Sequence, residues 1–366
     1  MHLERLSLLN FKNIETINLD FSSKINAIVG DNGEGKTNIL DAIYYLSFCK
    51  SYFLSSDQGV INHDAPFFVV EGWYNRNNQK EHIYGGIKRE QKKQFKRNKK
   101  QYDRLMDHIG LFPLVIISPT DRDLILDGSE VRRKLMDSVI SQSDKRYLQK
   151  LVQYNKVLSQ RNALLKYFAK NRTFDSETLS IYNIQLSELA SEIYQKRHSF
   201  IEQLQPIFDK YYADLSDSKE QVSLTYKSQL HSEALLPLLE NALQRDKLLQ
   251  YTSVGIHKDD LDFSIGDYPM KKIGSQGQQK TFIIALKLAQ YECIKKASGI
   301  KPILLLDDVF DKLDDKRVEA LVKLVNAQHF GQIFITDTHP ERTGEIVAKI
   351  NEESKTFRIK NGSLVK

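Results

Sequence analysis

Short apolar runs that stop abruptly at polar or glycine residues set the rhythm of both ends of this chain. Ile17, Leu19 and Phe21 alternate with polar neighbours, so residues 1 to about 25 read as short strands. Ile25-Asn26-Ala27-Ile28-Val29 reads as a buried strand that runs straight into Gly30. Beyond Thr37, the residues Ile39, Ala42, Ile43 and Leu46 recur at helical spacing and predict one face of an amphipathic helix. Phe67-Phe68-Val69-Val70 and Ile83-Tyr84 predict further strands, and Leu114-Val115-Ile116-Ile117 another buried one, ended by Ser118-Pro119.

From Glu130 to about Leu215 the period changes. Leu148, Leu151, Val152, Leu158, Leu164 and Leu165 mark a long helix. Leu179, Ile181, Leu186, Leu189 and Ile193 mark a second, expected to pair antiparallel with the first as an arm and to break near Pro206. Val222, Leu224 and Tyr226 predict a strand, with a short helix from about Glu233 to Leu249. From Tyr251 strand and helix alternate again, through Ile303-Leu304-Leu305-Leu306, a helix carrying Val318, Leu321, Val322 and Val325, and Ile333-Phe334-Ile335-Thr336. The expected fold is therefore α/β with a split core. Residues 1–120 and 251–366 form a head with a β-rich N-terminal part, and 121–250 form an inserted, mostly helical arm.

The breaks between these runs carry the candidate chemistry. Gly30-Asp31-Asn32-Gly33-Glu34-Gly35-Lys36-Thr37 fits the phosphate-loop pattern G-x-x-x-x-G-K-[ST], with Asn38 following, and it lies between a strand and a helix as that motif requires. Its glycines let backbone N–H groups turn toward phosphate oxygens, and the helix N-terminus adds partial positive charge. Lys36 would reach the β- and γ-phosphates, and the Thr37 hydroxyl would ligate Mg²⁺. A nucleoside triphosphate and Mg²⁺ are the expected cofactors.

A second break follows Leu306. Four aliphatic residues ending in Asp307-Asp308 describe a central parallel strand that delivers a carboxylate to the C-terminal edge of the sheet. Asp307 would hold Mg²⁺, and Asp308 would orient or deprotonate the attacking water. Upstream, Gly274-Ser275-Gln276-Gly277-Gln278-Gln279-Lys280 leads into an Ala/Leu-rich helix from Thr281 to Gln290. Ser275, Gln276, Gly277 and Gln278 thus form a second anion-binding helix start. One γ-phosphate needs one cradle, so this one is expected to serve a nucleotide held by another subunit.

Composition and charge add modest constraints. Among 366 residues, 53 Lys and Arg against 47 Asp and Glu give +6, compatible with a polyanionic partner but not diagnostic of one. Cys49 and Cys293 lie far apart, and no zinc-type spacing occurs. No apolar run approaches transmembrane length and the first dozen residues are too polar for a signal peptide, so a cytoplasmic protein without membrane contact is expected. A basic run carries Lys88, Arg89, Lys92, Lys93, Lys96, Arg97, Lys99 and Lys100. Lys92, Lys93, Lys96, Arg97, Lys99 and Lys100 are the candidate DNA contacts, against the alternative of a solvated hairpin tip near Asn98. Arg132-Arg133-Lys134 at a helix start is a weaker candidate of the same kind.

The phosphate loop, the Ser-Gln-Gly-Gln-Gln signature, the Asp-Asp strand end and the Leu313-Asp314 step occur in an order that resembles the ABC-type ATPase heads of SMC-like proteins. Within these the chain resembles the RecF family. The supporting segments are Asn10-Phe11-Lys12-Asn13, Gly35 to Asn38, Gly128 to Asp137, Tyr154 through Arg161-Asn162, Gly255 to Asp260, and Ser275 to Lys280. Lys12, Lys258 and Lys280 replace family arginines, and Asp41 stands where the family usually has Glu. The residue matching the ABC switch histidine is left open within Thr336-Asp337-Thr338-His339.

The resemblance implies an ATP-dependent DNA-binding protein of recombinational repair and replication, linked to the SOS response. Two copies would sandwich ATP between the phosphate loop of one and the signature of the other. The dimer would close on single- and double-stranded DNA at gaps and junctions. Slow, DNA-dependent ATP hydrolysis would release it, with RecO and RecR as partners in recombinase loading. The alternatives are a nucleotide-gated scaffold that does not turn ATP over, and another SMC-like ABC ATPase.

Overall fold

A computed structural model describes residues 1–216, 220–310, 315–328, 330–350 and 353–365. The Leu313-Asp314 step lies outside the described residues. The chain divides into two compact units. One comprises 1–122, 211–218 and 276–366, and the other 123–210 and 219–275.

The first unit is built on two six-stranded sheets. Across one of them lie Ile14–Asp20, His2–Phe11, Phe67–Arg76, Gln79–Lys88, Gln94–Arg97 and Lys100–Gln101, each antiparallel to its neighbours. Across the other lie Ser363–Val365, Ser354–Lys360, Ile25–Val29, Ile333–Asp337, Ile303–Asp307 and Leu114–Ile117. All pairings in this second sheet are parallel except that of the terminal hairpin Ser354–Lys360/Ser363–Val365. Its central strands are buried along their whole length, as continuous aliphatic runs require.

The helix Lys36–Phe48 touches both sheets and shares one core with them, formed by residues such as Leu6, Ile28, Ile43, Tyr45, Phe68 and Leu305. Buried on nearly every side, it differs from the one-faced amphipathic helix that its spacing predicts, because each flank meets a sheet.

In the second unit, the helix Lys145–Asn171 and the part of the helix Ser176–Ser216 up to residue 210 share a core through Tyr154, Val157, Leu186, Leu189 and Ile193. The buried stripe of the first helix falls on Tyr147, Tyr154, Val157, Arg161, Leu165 and Phe168, while Val152 stays 48% exposed. Ile181 is likewise 55% exposed. The second helix does not stop at Pro206 but runs on to Ser216. Proline removes one N–H and distorts a turn, which a helix of 41 residues with packed neighbours can absorb. The segment after Tyr251 packs in this unit up to Ser275, because Asp260–Ile265 pairs antiparallel with Val222–Lys227. No helix among the described residues is long and apolar enough to cross a membrane.

Candidate nucleotide-binding site

Parallel register brings the polar strand ends together. Asp307 pairs with Thr336, Thr336 with Ile28, and Asp337 with Val29, so the carboxylate, the threonine and the entry to Gly30 share one sheet edge. Gly30 is tightly enclosed there: a Cβ on it would lie 2.3 Å from the Ile359 carbonyl oxygen. Gly35 begins the helix at φ 104°, a conformation that glycine adopts without the steric cost of a side chain.

Lys36, only 4% exposed, folds its Nζ back onto the loop and donates to the carbonyls of Gly30 at 2.8 Å and Asp31 at 2.9 Å. Two further elements brace the loop. Asn13 Nδ2 donates to the Gly33 carbonyl at 3.1 Å and Asn13 Oδ1 accepts from Asn38 Nδ2 at 2.7 Å. At the terminal hairpin turn, Gly362 N donates to the Glu34 carbonyl at 3.0 Å, and Asn361 N donates to the Glu34 carboxylate. Asp31, Asn32 and Gly33 remain exposed at the rim.

Asp307 is 3% exposed and gathers three hydroxyls. Thr37 Oγ1 and Thr336 Oγ1 each donate to its Oδ1 at 2.9 Å, and Ser118 Oγ donates to its Oδ2 at 3.3 Å. Burial pushes the carboxyl above its usual range, and the Asp308 charge adds to this; the hydroxyls work against both. A hard cation would restore the ionised form. Thr37 and Asp307 offer the hydroxyl and carboxylate oxygens that Mg²⁺ accepts alongside phosphates. The donor set therefore fits the metal. Asp308 sits at φ 46° with its N–H donating to Thr336 Oγ1 at 3.0 Å, so one threonine holds both acidic residues.

Ser118 is a contact of Asp307 that motif reading passes over, although it stands, like Asp307 and Thr336, where a buried aliphatic strand ends. Of the candidates for the switch position, Thr336 is the one that touches Asp307, whereas the His339 N–H is used to cap Asp337 at 3.1 Å. Behind Ser118, Asp121 accepts from the Ser118 N–H at 2.8 Å and pairs with Lys287 of the helix Gln276–Ser298 at 2.5 Å.

The signature opens that same helix. Gln276 is its first residue, with Ser275 just before it and Gln278 in its first turn. Gly277 leaves room for Arg317, since a Cβ there would lie 2.8 Å from Arg317 Nη1. Among the described residues, none of the partners of Lys36, Thr37 or Asp307 comes from residues 276–278.

Comparison with known proteins decides the family. The model for the RecF/RecN/SMC N-terminal domain matches residues 2–362. A DNA replication and repair protein RecF of Flavobacterium johnsoniae is 55% identical over 359 residues, spanning 98% of this chain and 100% of its own length. The chain belongs to the RecF family. The RecF of Phocaeicola vulgatus is 49% identical, over 100% of this chain and 98% of its own. Among solved structures, that of the recombination mediator protein RecF with ATP, in the RecFOR pathway, superposes with a TM-score of 0.90. It is 31% identical and covers 100% of this chain and 97% of that one. The fold is thus that of an ABC-type ATPase head, as the RecF-like motifs imply.

The basic run divides on inspection. Asn98 and Lys99, both at positive φ, turn the hairpin between Gln94–Arg97 and Lys100–Gln101. Arg97 is held by the Glu81 carboxylate, with Nε donating to Oε2 at 2.6 Å, and this contact pulls the Glu81 carboxyl below its ordinary range. Lys93 pairs with Asp57 at 2.6 Å and donates to the Cys49 carbonyl, also at 2.6 Å. Lys96 lies over the Tyr84 ring at 5.1 Å. Lys92, Lys99 and Lys100 are exposed. Of the weaker run, Arg132 pairs with Asp260 at 2.7 Å and Lys134 with Glu130 at 2.6 Å, both within the second unit.

Proposed function

We propose that this RecF-family chain is an ATP-driven DNA clamp of recombinational repair and replication. ATP with Mg²⁺ binds along residues 30–38, and two copies close on it, each signature engaging the nucleotide of the other. The observation that carries this reading is the assembly of Lys36, Thr37 and Asp307 at one sheet edge, the phosphate and metal side of a nucleotide site. One γ-phosphate needs one cradle, so the second helix start is read as acting on a nucleotide of another subunit.

Within this scheme Lys36 exchanges the Gly30 and Asp31 carbonyls for phosphate oxygens. Thr37 and Asp307 would hold Mg²⁺, whose charge offsets that developing on the phosphates. Asp308 orients the attacking water and takes up its proton, and Thr336 fixes the backbone that presents Asp308. Ser275 and the N–H groups opening the signature helix meet the γ-phosphate in trans. Slow turnover, stimulated by DNA, opens the dimer. Gapped and junction DNA are the substrates, and RecO and RecR the partners in recombinase loading. Of the basic hairpin, the exposed Lys92, Lys99 and Lys100 are the positions offered to DNA phosphates.

Sizing the protein with and without ATP, then with gapped, single-stranded and duplex DNA, tests the reading. A dimer that forms with ATP and retains DNA supports it. A monomer under every condition refutes it.

A further inference from the structure

Three segments that identify the family lie outside the nucleotide site, and within the second unit they converge on one small cavity. Its volume is about 100 Å³, and its wall includes Arg133 and Lys134 from the first segment, Tyr154 and Asn155 from the second, and His257 from the third, with Arg197 beside them. That space equals about three waters' share of liquid.

The charges around the wall do not balance pairwise. Asp137 is held by Arg197, with Nε donating to Oδ1 and Nη2 to Oδ2, each at 3.0 Å. Glu130 is held by Lys134 and Asp260 by Arg132. Asp259 accepts from Arg197 Nη1 at 3.0 Å. Arg132, Arg133, Lys134 and Arg197 thus face four carboxylates and the cluster is neutral overall, but Arg197 serves two of them and Arg133 makes no carboxylate ion pair among the described residues. Arg133 Nη1 donates to Ser129 Oγ and to the Asp259 carbonyl, each at 2.6 Å, while its Nε and Nη2 have no protein acceptor among the described residues. Half-buried, it is disfavoured as a cation by desolvation and by the neighbouring Arg197 charge, which outweigh the Asp260, Asp259 and Glu130 carboxylates that favour it. An anion on its free edge would add to their pull and favour the charged form.

His257 shapes the wall without adding charge. Its Nδ1 accepts from Tyr154 OH at 2.8 Å, its Nε2 donates to the Thr252 carbonyl at 3.0 Å, and burial pushes its pKa down to about 4. Gly255 is required beside it, at φ 117°, since a Cβ there would lie 2.9 Å from Tyr154 OH.

We propose that this cavity is a seat for one phosphate of a bound nucleic acid, gripped by the free edge of Arg133 with the Asn155 amide and Lys134 at the rim. A guanidinium edge suits two oxygens of one phosphate, and amide side chains are common phosphate donors. The inference rests on the DNA-binding reading above and deepens it by giving the second unit a contact of its own.

The test is DNA affinity, measured with ATP on a duplex bearing a single-stranded extension, across roughly 50 to 200 mM salt. Two variants are used, because Arg133→Gln removes the guanidinium but also two bonds that hold the fold. Asn155→Asp, at an exposed position, adds a negative charge and leaves the packing intact. Each variant is expected to bind DNA about fivefold more weakly or worse, and to lower the slope of log K against log salt by about one. ATP affinity should stay the same. If both variants bind DNA with unaltered affinity and slope, the phosphate seat is wrong while the clamp reading stands. If the unaltered protein holds no DNA, both fail.

Discussion

Lys12 Nζ stands 2.7 Å from Asp41 Oδ2, so the segment bracing the phosphate loop and the helix that follows the loop are joined by one ion pair. Asp41 is fully buried, and its two oxygens also accept from Ser51 Oγ at 2.6 Å and from the Tyr52 N–H at 2.7 Å. The pair ties the strand His2–Phe11 region to the helix that follows the phosphate loop, one residue from the bracing Asn13.

Removing one partner strands the other. Asp41→Ala should therefore destabilise the protein by about 3 kcal/mol, read from denaturant unfolding. Lys12→Arg alone and Asp41→Glu alone should each cost stability by overfilling the site. A double variant no better than the sum of the singles would show that the two side chains are not coupled.

Thr336 holds Asp307 through its hydroxyl and Asp308 through the backbone. Thr336→Val keeps the shape and deletes both bonds. Hydrogen bonds to charged groups contribute about 1.5–3 kcal/mol, so ATP turnover should fall roughly tenfold or more, with recovery in Thr336→Ser. Turnover equal to that of the unaltered protein would remove Thr336 from the site.

Much of this architecture is legible in the sequence, for a physical reason. The runs at 25–29, 303–307 and 333–337 are buried on both faces, so each stands out as an unbroken aliphatic block with its polar end marked. Lys36, Thr37 and Asp307 follow from that. Ser118 does not, and Thr336 is only one of four residues in the switch segment, because a serine or threonine at a strand end carries little signal until register sets it against a carboxylate. The helical unit is less legible. Its long helix buries Tyr154 and the wholly enclosed Arg161, which bonds to Asn183, Asp246 and Thr252, while the apolar Val152 and Ile181 face solvent. Nor does sequence show that Lys93 and Arg97 meet carboxylates, since Asp57 and Glu81 lie on distant segments.

His108 is enclosed in the first unit, with its Nε2 donating to the Leu46 carbonyl at 2.7 Å and its Nδ1 accepting from Tyr102 OH at 2.9 Å. Burial pushes its pKa down to about 4. An unfolded histidine titrates near 6.5, so between these values the unfolded chain binds the extra proton and the folded one does not. Stability should be fully present above about pH 6.5, fall as pH drops toward 4, and lose about 2 kcal/mol from this group by pH 5. His257 in the second unit contributes in the same direction. Urea unfolding at pH 7 and pH 5 checks this. Higher stability at pH 5 would mean that the buried histidines do not govern acid sensitivity.

Whether the signature acts on the nucleotide of another copy is the central question, and mixing two variants tests it most directly. Lys36→Ala removes the phosphate-loop cation, and Ser275→Arg places a bulky cation at the signature while leaving residues 30–38 untouched. Alone, each should fail to dimerise with ATP, but Ser275→Arg should still bind ATP as a monomer. Mixed, they should form ATP-dependent heterodimers with one intact composite site, visible by sizing and by DNA retention that neither shows alone. If Ser275→Arg loses ATP binding in dilute monomer as fully as Lys36→Ala does, and the mixture gains nothing, the signature acts within its own chain and the account is contradicted.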